Sequence, residues 1–131
     1  MAVELGFAPM LADDIILLTL ETCAGETPLI FSLPVEQVLS LGPRLIENGA
    51  QAISIASPRG ALIHEESLIT GRLYGQSLFP RALDIVYSAA RLGIPIIGSG
   101  GVWEEKNVAD MLSAGAIAVQ ADSSLWVPKE A

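Results

Sequence analysis

Three stretches of helical spacing in this chain each stop at a glycine, namely Gly49, Gly93 and Gly115. Each glycine is followed within about three residues by a short apolar run. The runs are Ala52–Ala56, Ile94–Ile97 and Ala116–Ala121, and an earlier one, Pro28–Leu33, follows a helical stretch at Leu11–Cys23. Runs this short, apolar on both faces, are the pattern of buried parallel strands. The helical stretches are Val35–Glu47, with Val35, Val38, Leu39, Leu45 and Ile46 roughly on one face, then Pro80–Leu92 and Glu104–Ala114. Proline suits the first position of a helix and acidic residues suit its first turn. The repeat of helix, glycine and strand is the βα unit. Four such units allow a small open doubly wound sheet. They also allow part of a (β/α)8 barrel, which as a whole takes about 250 residues. With 131 residues the chain is too short for all eight units, so the second choice means a half barrel.

Composition narrows the partners. The formal net charge is −8, which argues against nucleic acid, because such binders need a basic face. Hydrophobic residues make up 51% and charged residues 17%, so a disordered or solvating chain is excluded. That richness points to strands buried on both faces or to a sizeable contact with a partner. The single cysteine, Cys23, rules out an intrachain disulfide and fits a reducing compartment. It is expected to be a small buried hydrophobe. The start MAVELGFAPM lacks the features of a signal peptide, and no apolar run nears the roughly 20 residues of a membrane span. A soluble, cytoplasmic protein with no membrane or nucleic-acid partner is expected.

The segment Ser57–Phe79 breaks the rhythm, with Pro58, Gly60, Gly71 and Gly75 spaced among charges. It reads as a long loop holding a small hairpin around Leu62–Leu73, and loops of this length are usually functional. The run at Ile94–Ile97 passes into Gly98-Ser99-Gly100-Gly101 before a helix. Glycines let backbone N–H groups approach a ligand, and a helix N-terminus favours an anion. The next strand ends in Asp122-Ser123-Ser124. In barrels the loops after the seventh and eighth strands often form a phosphate cradle. Taken alone, the glycine cluster is equally a tight strand-to-helix turn. His64, beside Glu65 and Glu66, is a candidate base or an ordinary loop histidine, and makes no metal site without further ligands. Arg59 and Arg72 are candidates to face an anionic ligand, or are solvated loop arginines. Trp103 and Trp126 read as packing or interface residues. Asp13, Asp14, Glu104 and Glu105 read as helix-start charges.

Several of these residues together resemble a known family. Gly71 to Pro80 (GRLYGQSLFP), Ala82-Leu83, the segment IPIIGSGG and Ala114 to Gln120 (AGAIAVQ) resemble the C-terminal half of dihydroorotate dehydrogenases, nearest the cytosolic class 1 branch. PLIFSLPVEQV and AISIASPRGALI extend the likeness backward, so that it covers about residues 10 to 126. The resemblance implies a single α/β domain over residues 1–131, a partial (β/α)8 TIM barrel of about four parallel βα units. It implies an FMN-dependent oxidoreductase that oxidises dihydroorotate to orotate in pyrimidine biosynthesis. By the same likeness Gly75 lies beside the flavin, the amides of Gly100 and Gly101 hold the FMN phosphate, and Ser123 stands where the family has a threonine.

The departures are equally specific. The family's strand-end lysine falls on Ser32, its substrate-binding asparagine on Ser57, and the glycine before the threonine on Asp122. The ammonium charge that would stabilise a reduced flavin is thus absent at Ser32. A carboxylate at Asp122 repels a phosphate unless it points away. The family's general base, a cysteine or serine, is expected on a loop upstream of this chain's start, and Cys23 does not match it, so catalytic residues are unassigned. The alternative is a non-catalytic half-barrel binding or structural module. Two halves, as a homo-oligomer or with a complementary half-barrel chain, could pair into a closed eight-stranded barrel.

Overall fold

The computed structural model describes residues 1–8, 11–126 and 128. In chain order the elements are β1 (Val3–Leu5), α1 (Asp13–Cys23), β2 (Leu29–Leu33), α2 (Val35–Glu47), β3 (Ala52–Ile55), β4 (Arg59–His64) and β5 (Ser67–Arg72). A 3-10 turn at Gln76–Leu78 leads into α3 (Phe79–Arg91), β6 (Ile96–Gly98), α4 (Glu105–Ala114), β7 (Ala118–Val119) and the short α5 (Ser123–Trp126).

The main sheet has five strands in the order β1-β2-β3-β6-β7, and every neighbouring pair is parallel. Spatial order therefore follows chain order. A doubly wound sheet would reverse its strand order at a switch point. The unreversed succession is the progression of a barrel, and the fold is a partial (β/α)8 barrel.

Strand register separates two faces. Leu29, Phe31 and Leu33 share one face with Ile53, Ile55 and Ile96, and all are buried in one core with the helices. Helix α2 supplies Val38, Leu41 and Leu45 to that core at helical spacing, each fully buried. Helix α3 adds Ala82, Ile85, Val86 and Ala89. The opposite, concave face carries Glu4, Ile30 and Ala52 in one register row and Ser32, Ser54, Ile97 and Ala118 in the next.

Several elements differ from the sequence expectation. A fifth strand, β1, precedes α1, and at three residues it is too short to show a period. The strand expected at Ala116–Ala121 is only Ala118–Val119 and is not buried, because as the sheet's edge it has a neighbour on one side alone. Cys23 is exposed, not buried. It lies two turns beyond Ile16 on the same helical face, but α1 buries only Ile16 and Leu20, so its last turn outruns the packing.

The expected hairpin forms, from Arg59 to Arg72, as a separate two-stranded antiparallel sheet. Its turn residues Glu65 and Glu66 both have positive φ, 48° and 63°, as a two-residue hairpin turn requires. The backbone N–H of Leu73 donates to the Pro58 carbonyl at 2.7 Å and extends the hairpin ladder by one pair at its base.

Candidate functional site

The C-terminal ends of the strands open into a cavity of about 370 Å³. Gly75, Gly100, Gly101 and Ser123 all line it. They come from three separate places: the segment after the hairpin, the turn between β6 and α4, and the start of α5. Ser32, Ser57 and Asp122, the positions of departure, line the same cavity.

The glycine turn is shaped by packing as well as by any ligand. Gly101 has φ of 67°, and a Cβ there would run into the backbone of Phe79, with the Phe79 Cα at 2.8 Å. That close approach seats the turn on the first residue of α3. Gly100 and Gly101 line the cavity, but glycine at 101 is already demanded by the fold.

The N-terminus of α4 is not free for an anion, contrary to the sequence expectation. Glu104 caps it: its side chain accepts from the backbone at the third helical position, and Asn107 completes a reciprocal capping box. Asn107 Oδ1 accepts the backbone N–H groups of Trp103 at 2.9 Å and Glu104 at 3.0 Å. The protein's own carboxylate thus sits where a bound anion would gain most from the helix dipole. A phosphate here depends on the amides of the glycine turn and on Ser123.

A carboxylate that the sequence reading passed over is central to the concave face. Glu4, on β1, accepts hydrogen bonds from the hydroxyl of Ser54, on β3, and from Nε2 of Gln120, at 3.3 Å. Gln120 follows β7, so side chains from the two edge strands meet across the concave face. Its backbone N–H donates to the Gly98 carbonyl at 2.8 Å. Ser54 is the buried polar residue among the described residues, and this contact satisfies it. The available signal was a charged residue in an otherwise apolar strand triplet, VEL.

Asp122 lines the cavity while its Oδ1 accepts the indole N–H of Trp126 at 3.0 Å. Trp126 is 79% exposed, so it seals nothing within the chain. Trp103 is half-buried. His64 is exposed at the hairpin tip, 4.0 Å from Glu65, and lines none of the cavities described. On the exposed side of α4, the hydrogen bond of Lys106 to Asp110, at 2.6 Å, and the Asp110 charge raise the Lys106 pKa. Arg72 lines the cavity, and it also lines a second cavity of about 400 Å³ shared with Arg59 at the hairpin base.

Comparison with known proteins identifies the lineage. A catalytic subunit of dihydroorotate dehydrogenase B (NAD(+)) from Petrotoga mobilis is 27% identical over 135 residues, covering 95% of this chain and 44% of the relative. The corresponding subunit from Saccharolobus solfataricus is 33% identical over 91 residues, covering 63% of this chain and 31% of the relative. Over most of its length the chain is similar to dihydroorotate dehydrogenases. The subunit from Fusobacterium nucleatum reaches 51% identity over 51 residues, or 38% of this chain and 17% of the relative. The family model for nitronate monooxygenase also matches, over residues 67–131. Among solved structures, the dihydroorotate dehydrogenase of Eimeria tenella in complex with ferulenol superposes with a TM-score of 0.63 at 19% identity. It covers 79% of this chain and 31% of that one, and at this identity it speaks for the fold alone. The chain spans less than half the length of the curated relatives named here. The resemblance drawn from the glycine motifs is therefore borne out, and so is the partial barrel. Among the described residues, no helix is long and apolar enough to cross a membrane.

Proposed function

We propose that this chain is the cofactor-holding part of a flavin oxidoreductase of the dihydroorotate dehydrogenase type. The observation that carries this is the meeting of Gly75, Gly100, Gly101 and Ser123 in one cavity at the strand ends. FMN is the cofactor of the families matched, and the residues present fit it. The cavity lies within the ~300–1,000 Å³ usual for small ligands. The amides of Gly100 and Gly101 and the Ser123 hydroxyl would hold the phosphate, with Gly75 beside the ring. The chemistry FMN supplies when bound is acceptance of a hydride from a C–H bond of dihydroorotate, giving orotate.

The chain's own contribution is positioning and exclusion of water. Ser32 can donate or accept a hydrogen bond but carries no charge, so positive charge at this cavity comes from Arg72. No described residue is assigned as the base that removes the substrate proton, and a complete site draws on residues beyond this half barrel. We place the chain in the cytoplasm as one α/β domain. It is paired with a second copy or a complementary half barrel through the open edges β1 and β7.

A second reading has two specific observations behind it. The uncharged Ser32 and the carboxylate of Asp122 both weaken a flavin phosphate site and favour a non-catalytic half-barrel module. Titration of the purified chain with FMN, followed by flavin fluorescence, separates the two. Saturable quenching supports the cofactor-holding role. Absence of binding, in a chain shown by circular dichroism to be folded, leaves the module.

A further inference from the structure

We infer that Arg59 and Arg72 form an anion clamp for a small ligand seated in the second cavity, next to the proposed flavin site. They stand directly opposite each other as the first cross-strand pair of the hairpin. Like charges in that position destabilise a two-stranded sheet.

Neither guanidinium has a partner among the described residues, and this sets the two apart. Arg44 pairs with Asp13 at 3.7 Å, Arg81 with Asp84 at 3.5 Å and Lys106 with Asp110 at 2.6 Å. Arg91 donates to the Tyr87 hydroxyl at 2.8 Å and lies over its ring. In a chain with 15 acidic residues against seven basic ones, partners are abundant. Glu36 lines the same cavity and still pairs with neither arginine.

The cavity defines what would complete the pair. Its volume is about 400 Å³. The same cavity is lined by the apolar residues Phe7, Ile16, Leu33 and Pro34. Phe7 is held in place by stacking on Phe31, ring centroids 5.6 Å apart. The fitting ligand carries a carboxylate or phosphate toward the guanidinium forks and a small apolar body toward Phe7 and Leu33. Arginine forks bind such oxyanions through two parallel N–H groups. Ser32, Ala56, Ser57 and Arg72 belong to both cavities, so the ligand would abut the proposed flavin site. The clamp deepens the proposed function by supplying the positive charge absent at Ser32. Its test contains no flavin, so the two can fail separately.

The experiment titrates the isotopically labelled chain with benzoate, phenyl phosphate and the neutral benzamide. Arginine Nε–H signals are followed by NMR and heats by calorimetry. At least one anion is expected to bind saturably and to shift the Nε–H signals of both arginines, with benzamide at least about tenfold weaker. A preference for benzoate assigns a carboxylate ligand, and a preference for phenyl phosphate a phosphate ester. Arg59→Gln and Arg72→Gln should each weaken anion binding by about tenfold. Their Tm without ligand should stay at or above that of the parent, since like charges are relieved. Equal binding of benzamide and the anions overturns the clamp, as do affinities unchanged in both variants or no saturable anion binding. Anion binding by a folded chain that takes no FMN overturns the flavin reading and leaves the clamp standing.

Discussion

Replacing Gly101 by alanine tests how the glycine turn is built. At φ of 67° the residue is in the left-handed region, where a side chain costs about 1–2 kcal/mol. The added Cβ would also fall 2.8 Å from the Phe79 Cα. That obstacle is backbone and cannot rotate aside, so the turn or the start of α3 must shift. Overpacking of this kind costs about 1–3 kcal/mol. The expected loss is the sum, about 2–5 kcal/mol, read as a lowered urea midpoint by circular dichroism. Gly71→Ala is the control, since a Cβ there meets nothing within 4 Å. It should change stability by less than about 0.5 kcal/mol. A loss under about 1 kcal/mol at Gly101 would refute the reasoning. So would rescue by Phe79→Ala, which removes the ring and leaves the obstructing backbone in place. A fall in FMN affinity in the Gly101 variant is interpretable only after correction for its unfolded fraction.

Three other predictions concern the same end of the barrel. Asp122→Asn keeps an oxygen for the Trp126 indole but removes the charge. It should tighten FMN binding by about 1 kcal/mol, the repulsion of unit charges about 4 Å apart in water, and an unchanged Kd would show that this carboxylate faces away from the phosphate. Asn107→Ala takes the acceptor from the N–H groups of Trp103 and Glu104. It should cost about 1 kcal/mol in thermal unfolding, and an unchanged Tm would mean the cap does not form in solution. A double-mutant cycle of Glu4→Gln and Ser54→Ala should give a coupling of at least about 0.5 kcal/mol by urea unfolding, with additivity counting against their contact.

What could be read from the sequence was whatever repeated or packed by a simple period. Helix α2 has the expected bounds, Val35–Glu47, between a proline and a glycine; of the face read from the sequence Val38 and Leu45 are fully buried, Val35, Leu39 and Ile46 only partly, and Leu41 joins the core. The hairpin was visible in the broken rhythm between Ser57 and Phe79, where Leu62 and Ile69 prove to be cross-strand partners. Strand β1 was hidden by its brevity and β7 by its place at an edge. Cys23 followed the apolar face of α1 past the end of its packing.

The site was legible as a set of residues and not as an environment. Gly75, Gly100, Gly101 and Ser123 were chosen from motifs and do share a cavity. That Glu104 closes its own helix end depends on a side-chain rotamer and on Asn107 three residues later. Glu4 was passed over for a different reason: its partners Ser54 and Gln120 are 50 and 116 residues away. Contacts that distant leave only the charge in the apolar triplet VEL as a local trace.

The Glu4, Ser54 and Gln120 cluster bears on how the barrel can close. Counted around the sheet, Glu4 and Ser54 belong to the first and third strands, and Gln120 directly follows the fifth. In an eight-stranded barrel, side chains from four alternate strands fill one interior layer. Three places of one layer are therefore occupied, and they are joined by hydrogen bonds through one carboxylate. The fourth place falls to the seventh strand, supplied by whatever completes the cylinder. A hydrogen-bond donor or a cation there would extend the network. A leucine or valine would press hydrocarbon against the Glu4 carboxylate and strip its water, costing several kcal/mol. The polarity of that one side chain would therefore decide how well a completing half fits.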